Sequence, residues 1–213
     1  MKTSLNTIPL SILLAILLSP APNTRAQGTP EQAAAVKEKL QTLRSNCAKG
    51  RHQVAVTVEE LSRLTVPDVD LRPQFEKFKA ELVKMEEAAG NARERADAMK
   101  AKGEKFFADA EVQVAEIQNP DIRKAAEKRL GARKKSYGKV LSAMQEAKAE
   151  FQPFMSDLND LKKMFDSELT TTSVKSAKDL IRQARWHGND VTDALEDVEK
   201  ELDRVAAELA KYQ

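Results

Sequence analysis

A seven-residue repeat, in which apolar side chains recur at alternating steps of three and four, runs through four long stretches of this chain. The last stretch shows it most regularly, at Val174, Ala177, Ile181, Ala184, Gly188, Val191, Leu195, Val198, Leu202, Val205 and Leu209. This spacing places the apolar side chains along one side of an α-helix, as in coiled coils. The repeat therefore predicts an all-α protein made of long helices.

Prolines and capping residues divide the repeat into four predicted helices, at about 30–64, 73–117, 120–165 and 172–212. Thr29 followed by Pro30 is typical of a helix start, as is Asn119 followed by Pro120. The last helix is predicted to have Thr171 or Thr172 as its cap. Pro153 lies inside the third helix and predicts a kink there, because proline removes one backbone hydrogen bond.

The arrangement of these helices follows from their single apolar stripes and short connections. One stripe cannot be buried by an isolated helix, and short connections favour antiparallel neighbours. We therefore expect an elongated antiparallel bundle of four long helices with coiled-coil-like heptad packing, forming a single domain over residues 27–213. A coiled coil between chains stays open as an alternative, and with it a homodimer.

The first 26 residues have the order of a secretory signal peptide. A basic start is followed by an apolar run at 8–18 and by a polar segment that ends at Ala26. An uncleaved membrane anchor is the alternative, but the run is shorter than the roughly 20 residues that span a bilayer. We expect a secreted or periplasmic protein with no transmembrane segment in the mature chain. The single cysteine, Cys47, lies too far downstream for a lipid anchor. It is expected in the core, an intermolecular disulfide being the alternative.

The charge balance gives no support to nucleic-acid binding. The full chain has 35 Lys and Arg against 33 Asp and Glu, and loss of Lys2 and Arg25 with the signal leaves 33 basic residues. The mature chain is then neutral overall, whereas nucleic-acid-binding domains are usually basic.

The sequence lacks the patterns that carry enzyme chemistry. Neither His52 nor His187 follows a Glu at the spacing of di-iron bundles, and there is no Gly-x-Ser-x-Gly or glycine-rich phosphate loop. The acidic residues from Asp190 to Asp197 fall on what we expect to be an exposed helix face, whereas paired carboxylates support acid–base catalysis only in a cleft. Weak cation binding is the alternative for these residues. We predict no catalytic, cofactor-binding or metal-binding residue and no enzymatic activity.

The most marked charge asymmetry is a basic segment in the first half of the third helix. It consists of Arg123, Lys124, Lys128, Arg129, Arg133, Lys134, Lys135 and Lys139. Arg129, Arg133, Lys134 and Lys135 are candidate contacts for an anionic envelope component, such as lipid headgroups or lipopolysaccharide. The alternative is that the acidic stretch of the fourth helix lies beside the segment and neutralises it.

Trp186 is the second candidate contact. The repeat places it opposite the apolar stripe of the fourth helix, so it is expected to face outward, where a tryptophan can anchor a protein partner. Alternatively it covers a neighbouring loop or lies on a widened apolar face.

Six segments resemble a bacterial family of envelope-associated helical proteins known only as the domain of unknown function numbered twenty-nine fifty-nine. They lie at 75–79 (FEKFK), 92–99 (ARERADAM), 119–123 (NPDIR), 127–130 (EKRL), 133–147 (RKKSYGKVLSAMQEA) and 152–157 (QPFMSD). The resemblance implies a long-helix protein on the envelope side of a bacterium. Many members carry a lipid-anchor cysteine after the signal, which this chain lacks, and the family supplies no site residues.

These features together predict an exported, non-enzymatic helical bundle that is a structural or protein-interaction module of the cell envelope. The partner is then an unidentified protein, and no cofactor is expected. The alternative is electrostatic binding of an anionic envelope component through the basic segment. A periplasmic holdase chaperone is less favoured, because it would need a cavity or splayed helices.

Overall fold

The computed structural model describes residues 30–210, and side chains within 37–208. The predicted signal peptide at 1–26 lies outside this range, as do residues 211–213. The described chain forms five helices that pack together and contains no strand. They are α1 (Pro30–Arg63), α2 (Leu71–Ala115), α3 (Pro120–Ser167), α4 (Thr171–Ser176) and α5 (Lys178–Ala210). The prediction of an all-α protein is confirmed.

The predicted fourth helix is divided at Ala177. The backbone there has φ −81° and ψ −1°, and its carbonyl accepts from the Ile181 N–H at 2.9 Å. The cap differs from the expected Thr171 or Thr172. The Thr170 hydroxyl accepts from the Ser173 N–H at 3.1 Å, and the Ser173 hydroxyl accepts from the Thr170 N–H at 3.0 Å. This reciprocal capping box fixes the start of α4 one residue earlier.

Side-chain caps also fix the starts of α2 and α3. Asn119 accepts from the N–H groups of Asp121 and Ile122 at 3.0 and 3.2 Å, as its position before a proline predicts. Helix α2 begins before the expected Pro73, because Asp70 accepts from the Arg72 N–H at 3.3 Å. Helix α3 continues through Pro153.

Each long helix packs against two others. Helix α1 contacts α2 and α5, and α3 contacts the same two helices. Along α1 and α5, Arg44 pairs with Asp203 and Arg51 with Glu196, so residue number falls along α5 as it rises along α1.

The same opposition holds along α3 and α5. Ser136 bonds to Glu208, and Asp157 bonds to His187. From the first contact to the second, the residue number rises by 21 along α3 and falls by 21 along α5. The two contacts therefore define a single register of α3 against α5. It is used below to place charged residues.

Three apolar clusters follow the bundle. The largest contains the fully buried Phe78, Phe154 and Leu158. A second lies around Val140 and Val198, and a third and smallest holds Phe107, Ala110 and Leu130 between α2 and α3. Many of their members come from heptad positions of the apolar repeat, such as Val174, Ile181, Val191 and Val198.

Helix α2 departs from its predicted apolar stripe in the middle. No side chain between residues 86 and 98 is buried, although the heptad repeat continues there with small side chains such as Ala92, which is exposed. Further along, Phe107 is buried and Phe106 is half-buried. Alanine side chains bury little area, so this stretch contributes little to the core compared with the phenylalanine-rich ends.

Candidate functional site

One end of the α2–α3 pair extends past the described parts of the other helices. Gln53 of α1 bonds to Glu81 of α2, and Glu60 of α1 bonds to Gln74 of α2. These two contacts define a register in which the start of α1, at residue 30, lies level with position 104 of α2. In the same way, the end of α5 at 210 is level with position 134 of α3. Residues 105–115 and 120–133 therefore form a two-helix hairpin, which we call the α2–α3 projection.

The projection is held by the third apolar cluster. Phe107, Ala110 and Leu130 are buried there, and the Phe107 and Tyr137 rings lie 5.4 Å apart between centroids. A shallow groove of about 330 Å³ beside the cluster is lined partly by Val114, Leu130 and Lys134.

The projection carries an excess of positive charge. Residues 105–115 and 120–133 contain six Lys and Arg against four Asp and Glu, and two further lysines, at 134 and 135, follow directly in α3. Four lysines of α3 follow each other at steps of four, seven and four, so they share the side of the helix that faces away from the core. All four are exposed and have no ion pair within the described residues: Lys124, Lys128, Lys135 and Lys139. We call these residues the lysine stripe.

The structure places the acidic stretch of α5 away from the lysine stripe. On the α3–α5 register, residues 190–197 lie level with residues 147–154 of α3, beyond the last lysine of the stripe. Glu196 pairs instead with Arg51, and Asp197 pairs with Lys200. The acidic residues at 190–197 therefore do not neutralise the lysine stripe, because the register separates the two sets of charges along the bundle. The sequence had left this neutralisation open.

The four candidate basic residues have different surroundings. The Lys134 ammonium lies 2.6 Å from the Glu111 carboxylate of α2, so this lysine ties the projection together. Arg129 and Arg133 are half-buried, and Arg133 has an interaction of its own. Only Lys135 belongs to the exposed lysine stripe.

The outward side of α3 changes sign beyond its middle. The carboxylates of Glu146 and Glu150 follow the lysine stripe on the same side of the helix, Glu146 exposed and Glu150 half-buried. Neither has an ion pair within the described residues. Between the two charged halves lies Ser142, also exposed. These two glutamates were not among the residues predicted from the sequence, although their spacing of four residues already places them on one side of a helix.

Trp186 is exposed, as predicted, with 60% of its surface accessible. The Arg182 guanidinium lies 5.7 Å from its ring centroid, a cation–π contact within one helix. The neighbouring His187 is level with Asp157 of α3. Trp186 is therefore separated from Lys135 by about 33 Å along the bundle at 1.5 Å per residue. The two candidate contacts belong to different surfaces.

A polar pair links α3 to α5 near Trp186. His187 Nδ1 lies 2.7 Å from Asp157 Oδ2, and the two side chains are 28% and 17% exposed. The Gln183 amide donates to the same carboxylate at 3.4 Å. The pair joins α3 to α5, and within the described chain no Ser or Cys side chain is hydrogen-bonded to this histidine.

A second polar contact interrupts the α1–α5 interface. Arg51 donates to Glu196 at 2.6 Å and to Glu199 at 3.2 Å. Arg51 Nε and Glu199 Oε1 are buried and lack a hydrogen-bond partner. The adjacent groove, of about 430 Å³, has Gly188 and Val54 in its wall.

Cys47 lies beside this contact and is partly buried against the second apolar cluster. Burial, with a smaller effect of the Glu199 carboxylate, raises the pKa of its thiol from 9.0 to about 11. The thiol is therefore protonated near neutral pH, which makes it a poor nucleophile and a poor metal ligand.

The described residues bring no set of three or more His, Cys, Asp or Glu side chains together in a way that would bind a metal ion. None of the helices between residues 30 and 210 has the length and apolar character needed to cross a bilayer.

Comparison with known proteins gives one match. A search of curated proteins and a search of solved structures each found none. Among protein families, residues 28–210 match the one described as protein of unknown function DUF2959. The match covers all five helices, the lysine stripe and Trp186, and it agrees with the resemblance seen in the sequence. The chain therefore belongs to this family of proteins of unknown function.

Proposed function

We infer that this protein is an exported, non-enzymatic interaction module of the cell envelope, in which a helical bundle presents the outward side of α3. In this proposal the four long helices form one up-down-up-down antiparallel bundle. The opposed numbering of the contacts between α1 and α5 and between α3 and α5 supports that arrangement.

The lysine stripe is the observation that carries the proposal. Isolated surface lysines are common, but here four exposed lysines share one side of α3, partly on a projection that few other described residues cover. A row of like charges without ion pairs favours contact with a surface of opposite charge. The titratable groups elsewhere that might suggest chemistry have structural roles, since Tyr137 bonds to a backbone carbonyl and Asp157 to His187.

Export is tested by the identity of the mature N-terminus. Protein recovered from an envelope or periplasmic fraction should begin at Gln27, because cleavage is expected after Ala26. Recovery of the full-length chain from the cytoplasmic fraction would contradict the proposal.

The interaction role is tested by comparing two variants in capture from envelope extract. The first changes the lysine stripe to glutamine at all four positions. The matched control changes four exposed lysines that lie elsewhere and also lack an ion pair: Lys77, Lys148, Lys175 and Lys178. We expect partners to be lost with the first variant and retained with the control. Equal capture of partners by both variants would contradict a role of the lysine stripe in partner binding. Trp186→Ala, tested beside them, examines the second exposed candidate.

A second candidate function is binding of an anionic, phosphate-bearing surface through the lysine stripe. Vesicles with anionic headgroups should then bind the protein at low salt and release it at high salt, since the Debye length falls from about 30 Å at 0.01 M to about 3 Å at 1 M. Binding to zwitterionic vesicles, or binding that salt does not weaken, would contradict this role.

A further inference from the structure

We propose that the outward side of α3 binds the same side of α3 in a second copy of this chain, antiparallel, about a two-fold axis beside Ser142. This proposal rests on the proposed interaction role and names the partner. It follows from a second set of heptad positions on α3, opposite the buried set.

These positions form a continuous exposed strip along the helix. Its members recur at alternating steps of three and four, so they line one side of α3. All are exposed, and most are small or uncharged: Lys128, Gly131, Lys135, Gly138, Ser142, Gln145, Ala149, Gln152 and Ser156. Small side chains allow two helix backbones to approach closely.

Four charged residues on or beside the strip are arranged symmetrically about its midpoint. Lys139 and Glu146 are equally distant from the point between residues 142 and 143, and so are Lys135 and Glu150. Reversing the helix about that point brings each lysine opposite a glutamate of the other copy. Because the contact is two-fold, each of the two pairings forms twice.

The charges are available for this contact. Lys135, Lys139 and Glu146 are exposed, Glu150 is half-buried, and none of the four has an ion pair within the described residues. An anionic membrane would attract the lysines at one end of this side of α3 and repel Glu146 and Glu150 at the other. A second copy of the same strip matches both halves, which is why we favour it as the partner.

Two glycines on the strip support the close approach. Gly131 and Gly138 are exposed, seven residues apart, and a Cβ added at either would meet nothing within 4 Å. Glycine weakens the interior of a helix, and packing within the single chain gives no reason for it here. A second helix lying against the strip supplies one.

The expected association is weak and salt-dependent, because exposed ion pairs are screened in salt. Sedimentation analysis of the full mature chain should show reversible dimers at low salt that dissociate at about 1 M salt. A wild-type chain that stays monomeric at millimolar concentration and low salt would overturn the proposal.

Charge exchange tests the pairing directly. Lys135→Glu with Lys139→Glu should lower the association constant by at least about tenfold, because like charges then face each other. Glu146→Lys with Glu150→Lys should do the same. All four changes together restore opposite charges in both copies and should restore association to within about threefold. Failure of the fourfold variant to associate would reject this register.

A glycine substitution tests the close approach. Gly138→Gln should reduce association and, since glutamine is a better helix former, raise the thermal stability of the monomer. Gly90→Gln on α2, which is also exposed and has open space around it, is the matched control. It should raise stability and leave association unchanged. Equal association in both variants would contradict the contact.

The fourfold variant, in which all four charges are exchanged, also separates this proposal from the proposed function. It keeps the net charge but moves the lysines to the other half of the strip. Self-association that is lost in both double variants and restored in the fourfold one supports the pairing. Absence of self-association together with capture of envelope partners by the lysine stripe rejects the pairing and leaves the interaction role standing.

Discussion

The Tyr137 side chain of α3 occupies the space that a side chain at Gly103 of α2 would fill. Its hydroxyl donates to the Met99 carbonyl at 2.7 Å, and a Cβ built at Gly103 would overlap the phenol ring and its oxygen. Burial, with a smaller effect of the Glu104 carboxylate, raises the pKa of Tyr137 to about 12. This contact joins α2 to α3 at the base of the α2–α3 projection.

Gly103→Ala should therefore destabilise the fold. Overpacking against the tyrosine costs about 1–3 kcal/mol, which exceeds the gain of up to about 1 kcal/mol from replacing glycine by alanine in a helix. Urea unfolding followed by circular dichroism measures the difference. Gly90→Ala, at a position with no neighbour within 4 Å, should instead raise the free energy of unfolding. A neutral or stabilising Gly103→Ala would show that the tyrosine can move aside.

The Cys47 thiol should react slowly with alkylating reagents at neutral pH. Its pKa is raised from 9.0 to about 11 by burial in the fold, and the thiolate is the reactive form. The alkylation rate of the native protein should rise as pH approaches 11, whereas the chain unfolded in denaturant should react with an ordinary thiol pKa. Rapid alkylation of the native protein near neutral pH would contradict the burial of this side chain.

The same pKa difference makes stability depend on pH in the alkaline range. Because the folded pKa is raised, the fold favours the protonated thiol, and this contribution is fully present below about pH 9. It should be lost as pH rises through about 11. Denaturant unfolding of the wild type and of Cys47→Ala across this range should show a steeper decline for the wild type. Parallel curves would contradict the linkage.

The Asp157–His187 contact should couple α3 to α5 energetically. A double-mutant cycle with Asp157→Ala and His187→Ala is expected to give a coupling energy of about 1 kcal/mol, because the pair is a mostly buried hydrogen bond. The exposed Lys163–Asp160 pair of α3, with side chains 75% and 67% accessible, is the control. Its coupling should stay below about 0.5 kcal/mol. Equal values for the two cycles would show that the interhelical pair is solvated.

The Arg51–Glu199 contact predicts an asymmetry between single and double substitution. Arg51→Met should lower the free energy of unfolding by about 1–3 kcal/mol, because Glu199, 13% exposed, then lacks its cation. Adding Glu199→Leu should recover most of that loss, since an apolar pair of similar size fits the interface. Thermal unfolding of the wild type and of these two variants measures the differences. A double variant no more stable than Arg51→Met would contradict the predicted recovery.

Several local features of the fold were predictable because they depend on near neighbours in the chain. Asn119 before Pro120 predicted a helix start that the structure confirms through two hydrogen bonds to its side chain. Thr171 or Thr172 was predicted as the cap where the structure has Thr170, because each of the three consecutive threonines offers the same hydroxyl group. The Ser173 side chain, which completes the box, decides among them.

Other features depended on distances that no periodic pattern encodes. The exposed middle of α2 had an apolar repeat, yet its alanines at 89, 92 and 96 are small enough that the repeat buries little there. The acidic stretch of α5 was a plausible partner for the basic segment until the register placed it level with residues 147–154 of α3.

The sequence alone determined that this chain is helical, where most of its helices begin and end, and which side of each is mainly buried, because heptad spacing and capping act within a few residues. The tertiary structure decided the register between helices. Sliding one helix by seven residues preserves every apolar position, so only particular contacts such as Tyr137 in the space beside Gly103 select one alignment. That choice places the lysine stripe away from the acidic residues at 190–197 of α5 and leaves it facing outward.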